Sequence, residues 1–268
     1  MYKIKLRIIN YLNLFLNFFN LHIDDVTVTK KDINHLIDII KPMDLGHNLV
    51  RVGSKNDGGY LMPDLFDDID YCFSPGIGKI YDFEKEIEKK NIKLFLADGT
   101  IDQKNIDIKN FDFLKKNLSS YNSLNLTTLE DWIKDKIEPS DKLLLQMDIE
   151  GSEYEVINST SEDCLKSFKV IIIEFHYLEK LYNRLNYNIF VNSVNKIIKN
   201  FEIAHLHANN CHGEFYVCGE KFPTAIEITF LRKDLCLQKK NIKDFPHPLD
   251  KKNIRDLPDI ILSKKWYS

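Results

Sequence analysis

The sequence predicts an α/β domain: a mostly parallel sheet of about seven strands, helices on both faces, and an antiparallel last strand. Three observations predict it. Apolar runs such as KLLLQMD (142–148) and FKVIIIEFH (168–176) lack the polar alternation of a half-exposed strand, so both of their faces are covered. These runs alternate with amphipathic helical stretches, the βαβ pattern of a parallel sheet. The last two strand-like runs, 201–207 and 224–232, follow each other with no clear helix between them, so they form a hairpin and one of them runs against the rest.

The elements follow in order. Residues 30–41 read as a short helix ended by Pro42, and 47–66 as a loop-rich stretch with a glycine pair. Residues 70–74 are a strand, 79–91 a helix with a charged face, and 92–98 a strand. Residues 111–118 read as helical, and 127–137 as a helix capped by Thr127 or Thr128. The strand 142–148 runs into a helix beginning at 152, and the strand 168–176 into one over about 185–200. The domain division expected is a helical segment over 1–45, the sheet domain over 46–232, and a polar, Pro-bearing tail over 233–268 that wraps it.

The totals narrow the class. With 44% hydrophobic and 29% charged residues among 268, the chain buries a core and is not disordered. Its net charge is -3 with no long basic block, which argues against nucleic acid as a partner. Five cysteines without a CxxC pair point to reduced thiols and a cytoplasmic chain. The first 22 residues are basic, then apolar, but no small-residue cleavage site follows. Asn10, Asn13, Asn17 and Asn20 stripe one helical face, and the run is shorter than the roughly 20 mostly apolar residues of a membrane span. Residues 1–22 are therefore a helix packed on the domain or on a second subunit, as in a homodimer. The alternative is a helix on a membrane surface, peripheral to the inner membrane, supported by Lys3, Lys5 and Arg7.

Ligands bind at the carboxyl ends of such strands. Polar groups follow five of them: Ser74 to Gly78, Asp98 to Thr100, Asp148 to Gly151, Glu174 to His176, and His205 to His207. In SPGIGKIYDFE, Gly76 and Gly78 let the backbone approach a cofactor at a helix N-terminus. Asp98, 20 residues beyond Gly78 and at the next strand end, is placed to accept ribose hydroxyls. This set (Ser74, Gly76, Gly78 and Asp98, with Asp148) suits an adenosine cofactor. No GxxxxGK[ST] is present. Glu84, one turn into the helix, offers a diphosphate nothing but is compatible with a sulfonium. That tilts the choice from a nicotinamide dinucleotide to S-adenosylmethionine.

At this point the residues resemble a known family. MDIEGSEYEVI (147–157) is similar to the signature of FkbM-type S-adenosylmethionine-dependent methyltransferases, where a KxDxEGxE-like motif follows the fourth strand. DGGYLMPDLF, FSPGIG, LADGT, IIIEFH and HLHANN resemble the subgroup tied to surface polysaccharide clusters, in order over about 47–231. Gln146 departs from the pattern, standing where the family commonly has Lys. The resemblance implies the class I methyltransferase (Rossmann-like) fold, and methyl transfer to an oxygen of a sugar or nucleotide-linked sugar in capsule biosynthesis.

Such a transfer needs a group to take the hydroxyl proton. His176 is the candidate base, with Asp148 and Glu174 beside it, since residues 174 and 176 share a strand face. A divalent metal such as Mg²⁺ is the other route, on Asp148, Glu174 and His207 or His176. Glu150 and Glu153 read as charges at the following helix N-terminus. Asn209 and Asn210 suit sugar hydroxyls, with His207 and Tyr60 as further substrate contacts. In SKNDGGY (54–60), Asp57 either caps the cofactor, accepting from its amino group, or sits in a hairpin turn. Arg51, Lys55 and Arg184 are candidates for the phosphates of a nucleotide sugar. Two alternatives stand beside this reading: a nicotinamide-dependent sugar oxidoreductase, and a non-catalytic adaptor on the same fold.

Overall fold

Strand formation follows the apolar runs. In a computed structural model, residues 2–21, 23 and 26–268 are described, so Met1, His22, Asp24 and Asp25 lie outside the described residues, as do the side chains of Tyr2 and Lys3. The strands that position the site are β1 (Leu49–Gly53), β2 (Gly59–Pro63), β3 (Tyr71–Pro75), β4 (Lys93–Ala97), β5 (Phe111–Leu114), β6 (Leu143–Met147), β7 (Phe168–Phe175), β8 (Phe201–Val217) and β9 (Glu220–Arg232). The helices are α1 (Tyr2–Leu16), α2 (Lys30–Ile39), α3 (Asp82–Lys89), α4 (Leu129–Lys136), α5 (Glu153–Ser159), α6 (Glu162–Lys166) and α7 (Arg184–Ile198).

Seven strands make one sheet in the order β8-β9-β7-β6-β3-β4-β5. All neighbours from β7 to β5 are parallel, and β9 lies antiparallel between β7 and β8. This is the mostly parallel α/β sheet with an inverted last strand that the sequence predicts. Every residue of β6 and β7 is buried. Their alternate residues feed opposite cores: Leu145, Ile171 and Ile173 join Trp132 and Phe190 on one face, and Leu144, Val170 and Ile172 join Phe83 and Ile87 on the other. Two-sided burial is why these strands lack polar alternation.

The second face is not covered by helices alone. β1 and β2 form an antiparallel hairpin there, with Val52 opposite Tyr60 and Gly53 opposite Gly59, and Val52, Tyr60 and Met62 enter the core with α3. The stretch read as loop-rich is thus a hairpin. Residues 111–118 also differ from expectation. Phe111–Leu114 is the edge strand β5, paired in parallel to β4, and supplies the seventh strand. Its FDFL pattern alternates with period 2, and four residues are too few for a helix.

Caps set the helix starts. Thr29 accepts from Asp32 N–H in a reciprocal capping box, and Thr128 accepts from Asp131 N–H. The tail folds back over the sheet domain: Ile260, Leu262 and Trp266 are buried, with Trp266 edge-on to Phe222 at 4.7 Å. No helix among the described residues is long and apolar enough to cross a membrane.

Candidate active site

A cleft of about 520 Å³ opens at the carboxyl ends of β3, β4 and β6. Gly76, with φ +81°, brings the turn after β3 against the end of β6; a Cβ here would meet Asp148 O at 1.7 Å, so only glycine permits the crossing. Gly78 N–H donates to Asp98 Oδ2 at 3.2 Å. Asp98 Oδ1 accepts from Thr100 N–H and Oγ1–H, both at 2.6 Å, and from Ile101 N–H at 3.2 Å. Burial works against its charge, but these donors hold Asp98 below the ordinary carboxylate range. Oδ2, with one protein contact, is the freer oxygen for a ribose hydroxyl.

Ser74, expected to touch the cofactor, stands behind the cleft wall. It is fully buried, 2.5 Å from Glu84 Oε1 and 2.8 Å from Gln146 Oε1. One hydroxyl proton cannot serve two acceptors. Burial pushes the Glu84 carboxyl up to about 7, so its protonated form donates to Ser74, which donates to Gln146. Glu84 and Gln146 do line the cleft.

The hairpin tip closes the cleft from above, with Asp57, Gly58 and Tyr60 in its lining. SKNDGGY is a hairpin turn, and it places Asp57 in the cleft lining. Asp57 is tied to the tail, accepting from Asn253 Nδ2 at 3.1 Å while its N–H donates to Asn253 O. Tyr60 Oη donates to Asp148 Oδ2 at 3.4 Å, so it positions that carboxylate.

The deeper end of the cleft gathers charge. Glu153 is fully buried, and its Oε1 accepts from the Ile149 and Gly151 N–H groups and from His176 Nδ1 at 3.1 Å. It therefore fixes both the 148–152 turn and the imidazole. His176 Nε2 then faces Glu174 Oε1 at 3.5 Å and Asp148 Oδ1 and Glu150 Oε2 at 3.7 Å each. Burial would lower the His176 pKa, but Glu153, Asp148 and Glu150 outweigh it and raise it to about 9. Burial pushes Asp148 to about 7 against the pull of His176, and drives Glu174 well above the carboxylate range with help from Asp148. Asn209 Nδ2 donates to Glu174 Oε1 at 2.7 Å. Asp148 Oδ1 is buried without a hydrogen-bond partner.

The turn has unusual backbone. Glu150 (φ 55°) and Gly151 (φ 104°) are both left-handed, and a Cβ on Gly151 would meet the Tyr177 ring at 2.3 Å. Beyond Gly151 and Ser152 the cleft continues into a groove of about 580 Å³ lined by Tyr154, Asn158, Tyr177, Lys180 and Asn186. Lys180 Nζ lies 4.2 Å over the half-exposed Tyr177 ring.

His176, Asp148 and Glu174 thus meet as expected of neighbouring strand ends. The metal set Asp148, Glu174 and His207 does not form, because His207 points to the other side. Its Nε2 donates to Asn253 Oδ1 at 3.1 Å and its Nδ1 lies 3.5 Å from Asp250. Instead, ligand atoms of Asp148, Glu150 and His176 lie within 4.8 Å of one another. Asn210 is also absent from the cleft: its amide donates to Ile254 O and Pro258 O and accepts from Ile254 N–H, anchoring the tail. Arg51 bonds across the hairpin turn to Ser54 O and Asn56 O, and Arg184 pairs with Asp32 at 2.6 Å, so neither is placed for phosphate.

Sequence reasoning missed four groups, the first being Glu153, which reads as a helix-end charge and instead holds His176. Glu150 reads as a helix-end charge, and only the left-handed turn swings it toward His176. Glu227 and Asn253 meet at 2.7 Å behind Asp57, joined by the fold and not by any local pattern.

No curated protein sequence matches the chain. Distant structural likenesses include a chain of a fibrillarin/Nop5p complex, at 10% identity and TM-score 0.39 over 62% of this chain and 73% of that one. A TehB-like SAM-dependent methyltransferase from Corynebacterium glutamicum aligns at 12% identity and TM-score 0.34 over 84% and 97%. Residues 99–199, from the end of β4 through α7, match the family model of the methyltransferase FkbM domain.

Proposed function

We propose that the protein transfers a methyl group from S-adenosylmethionine to a hydroxyl of a sugar or nucleotide-linked sugar, serving surface polysaccharide synthesis in the cytoplasm. The observation that carries this reading is the imidazole of His176. Its Nδ1 is held by Glu153, and its Nε2 faces Asp148 and Glu150, which line the cleft.

The cleft fits the cofactor on its own chemistry. Asp98 offers a carboxylate oxygen, and Asp57 and Asp148 put further carboxyl groups in the lining, which suits a cation and not a diphosphate. S-adenosylmethionine, when bound, supplies the electrophilic methyl group. The residues do the rest. Asp98 orients the ribose end, and Asp57 receives the amino group. The groove side chains Tyr177, Asn158 and Asn186 hold the acceptor, since aromatic faces and amides suit a sugar ring and its hydroxyls. His176 Nε2 takes the hydroxyl proton as the C–O bond forms and the C–S bond breaks. Only neutral imidazole can do this, so the carboxylates around it set the pH at which the base becomes available.

A second reading is favoured by the unpartnered Asp148 Oδ1. A divalent cation such as Mg²⁺ fits Asp148, Glu150 and His176, where it would polarise the acceptor hydroxyl. Titration calorimetry with S-adenosylhomocysteine and then NAD, each with Mg²⁺ or with EDTA, tests both readings. Binding of the homocysteine compound alone supports the methyltransferase and justifies assays with nucleotide sugars. Binding of NAD alone overturns it in favour of an oxidoreductase, and silence from both favours an adaptor. Mn²⁺ binding followed by electron paramagnetic resonance, lost in Glu150→Gln, supports the metal; no bound signal removes it.

A further inference from the structure

Helix α1 presents a continuous apolar stripe that the described residues leave uncovered. Ile4, Ile8, Tyr11, Phe15 and Phe18 recur at helical spacing, and all are exposed, Tyr11 by 73% and Phe18 by 86%. Leu12 and Phe19 widen the stripe to about 120° at 100° per residue. The opposite side of the helix is already used: Leu6, Ile9 and Leu16 are half-buried, and the buried Asn13 side chain bonds both backbone groups of Ile23 at 2.7 and 2.8 Å. The stripe is therefore not a core face waiting for the helix to rotate.

The charges say what covers it. Residues 2–21 contain Lys3, Lys5 and Arg7 and no Asp or Glu, although the whole chain is net negative at -3. On the helical wheel Lys5 and Arg7 fall at the two edges of the stripe. There Arg7 can reach outward while the apolar groups go in. A second copy of the helix would bring these cations no carboxylate to meet, and a stripe this wide and aromatic exceeds the seam of a two-helix coil. The helix is 15 residues, about 22 Å, and too short to span a bilayer but suited to lie along one.

We propose that this face seats on a bilayer surface containing anionic lipid, with α1 lying in the headgroup plane. The test uses the full chain with vesicles of phosphatidylcholine alone and vesicles that also contain phosphatidylglycerol. The chain sediments with the anionic vesicles, and high salt weakens the association. The double substitution Ile8→Asp with Phe15→Asp lowers partitioning about tenfold or more. Lys5→Glu with Arg7→Glu, which leaves the apolar stripe intact, removes the preference for anionic vesicles. Both variants retain S-adenosylhomocysteine affinity, because neither position is near the cleft. Failure to sediment with either vesicle overturns the proposal. So does equal binding to both, or a dimer in analytical ultracentrifugation that the Ile8→Asp, Phe15→Asp protein loses without any vesicle binding.

Discussion

His176 and His207 are equally buried, at 6% and 7% exposure; the first follows β7 and the second lies within β8 of the same sheet. Their surroundings differ. His207 Nε2 meets Asn253 Oδ1, whose amide nitrogen in turn serves Asp57 and Glu227, while Asp250 lies across from both His205 (3.0 Å) and His207, although His205 Nε2 and Asp250 Oδ1 complete no hydrogen bond. His176 has one satisfied nitrogen and one that faces three carboxylates at 3.5–3.7 Å, all beyond good hydrogen-bond length. Both regions hold histidine, carboxylates and an amide. Burial alone does not separate them. What separates them is what the second imidazole nitrogen meets: an amide oxygen of the tail for His207, and carboxylates that line the cleft for His176.

Breaking the two regions in parallel gives the largest contrast. His176→Gln lowers the rate of methyl transfer by about 10²–10⁴-fold, the usual share of a general base, while S-adenosylhomocysteine still binds in calorimetry. His207→Gln leaves the rate nearly unchanged and lowers thermal stability by about 1–3 kcal/mol, because it leaves tail contacts unmade. Equal losses of rate in the two variants would erase the distinction.

Glu153→Gln sharpens the comparison within the first region. The free enzyme's base becomes available as pH rises through about 9, so kcat/KM climbs toward alkaline pH. Glu153 is the principal contact holding the imidazolium. Neutralising it lowers the His176 pKa and moves the rising limb to lower pH, with a loss of about tenfold in maximal rate from poorer orientation. A purely structural role for Glu153 would scale the profile down without moving its midpoint.

The two regions were also unequally legible. β6 and β7, the Gly76 turn, Asp98 and the cluster of Asp148, Glu174 and His176 follow from short-range pattern, since each lies within a few residues of a strand end. The His207 region does not. Its partners come from residues 250–258, folded back from more than 40 positions away, and no local spacing marks Asn253 or the tail-binding role of Asn210. β5 was obscured because a four-residue edge strand carries little periodicity. Glu150 was obscured because its direction depends on two consecutive left-handed residues.

Asn253→Leu tests how far the second region supports the first. It removes the contacts to Asp57, Glu227 and His207, and costs about 1–3 kcal/mol of stability in denaturant unfolding. Because Asp57 sits on the hairpin over the cleft, S-adenosylhomocysteine binding also weakens, by about three- to tenfold. Unchanged affinity would show that the hairpin holds Asp57 without the tail.

The smallest effect comes from Glu84, which is buried near neither histidine. Its carboxyl is raised from an ordinary 4.5 to about 7, so the folded state holds a proton there that the unfolded chain has released. Stability therefore falls as pH rises from about 4.5 to 7, by at most roughly 3 kcal/mol. His176, raised from 6.5 to about 9, contributes stability that is full below 6.5 and lost as pH rises through 9. The two groups thus weaken the fold in adjacent windows. Glu84→Gln mimics the protonated acid, since its amide can donate to Ser74 while Ser74 keeps its bond to Gln146. The variant matches the parent at pH 4.5, exceeds it at pH 8, and keeps the decline above pH 7, all measurable as Tm against pH. A parent and variant with parallel curves would show that Glu84 is ionised in the folded protein. The hydrogen-bond direction through Ser74 would then be reversed.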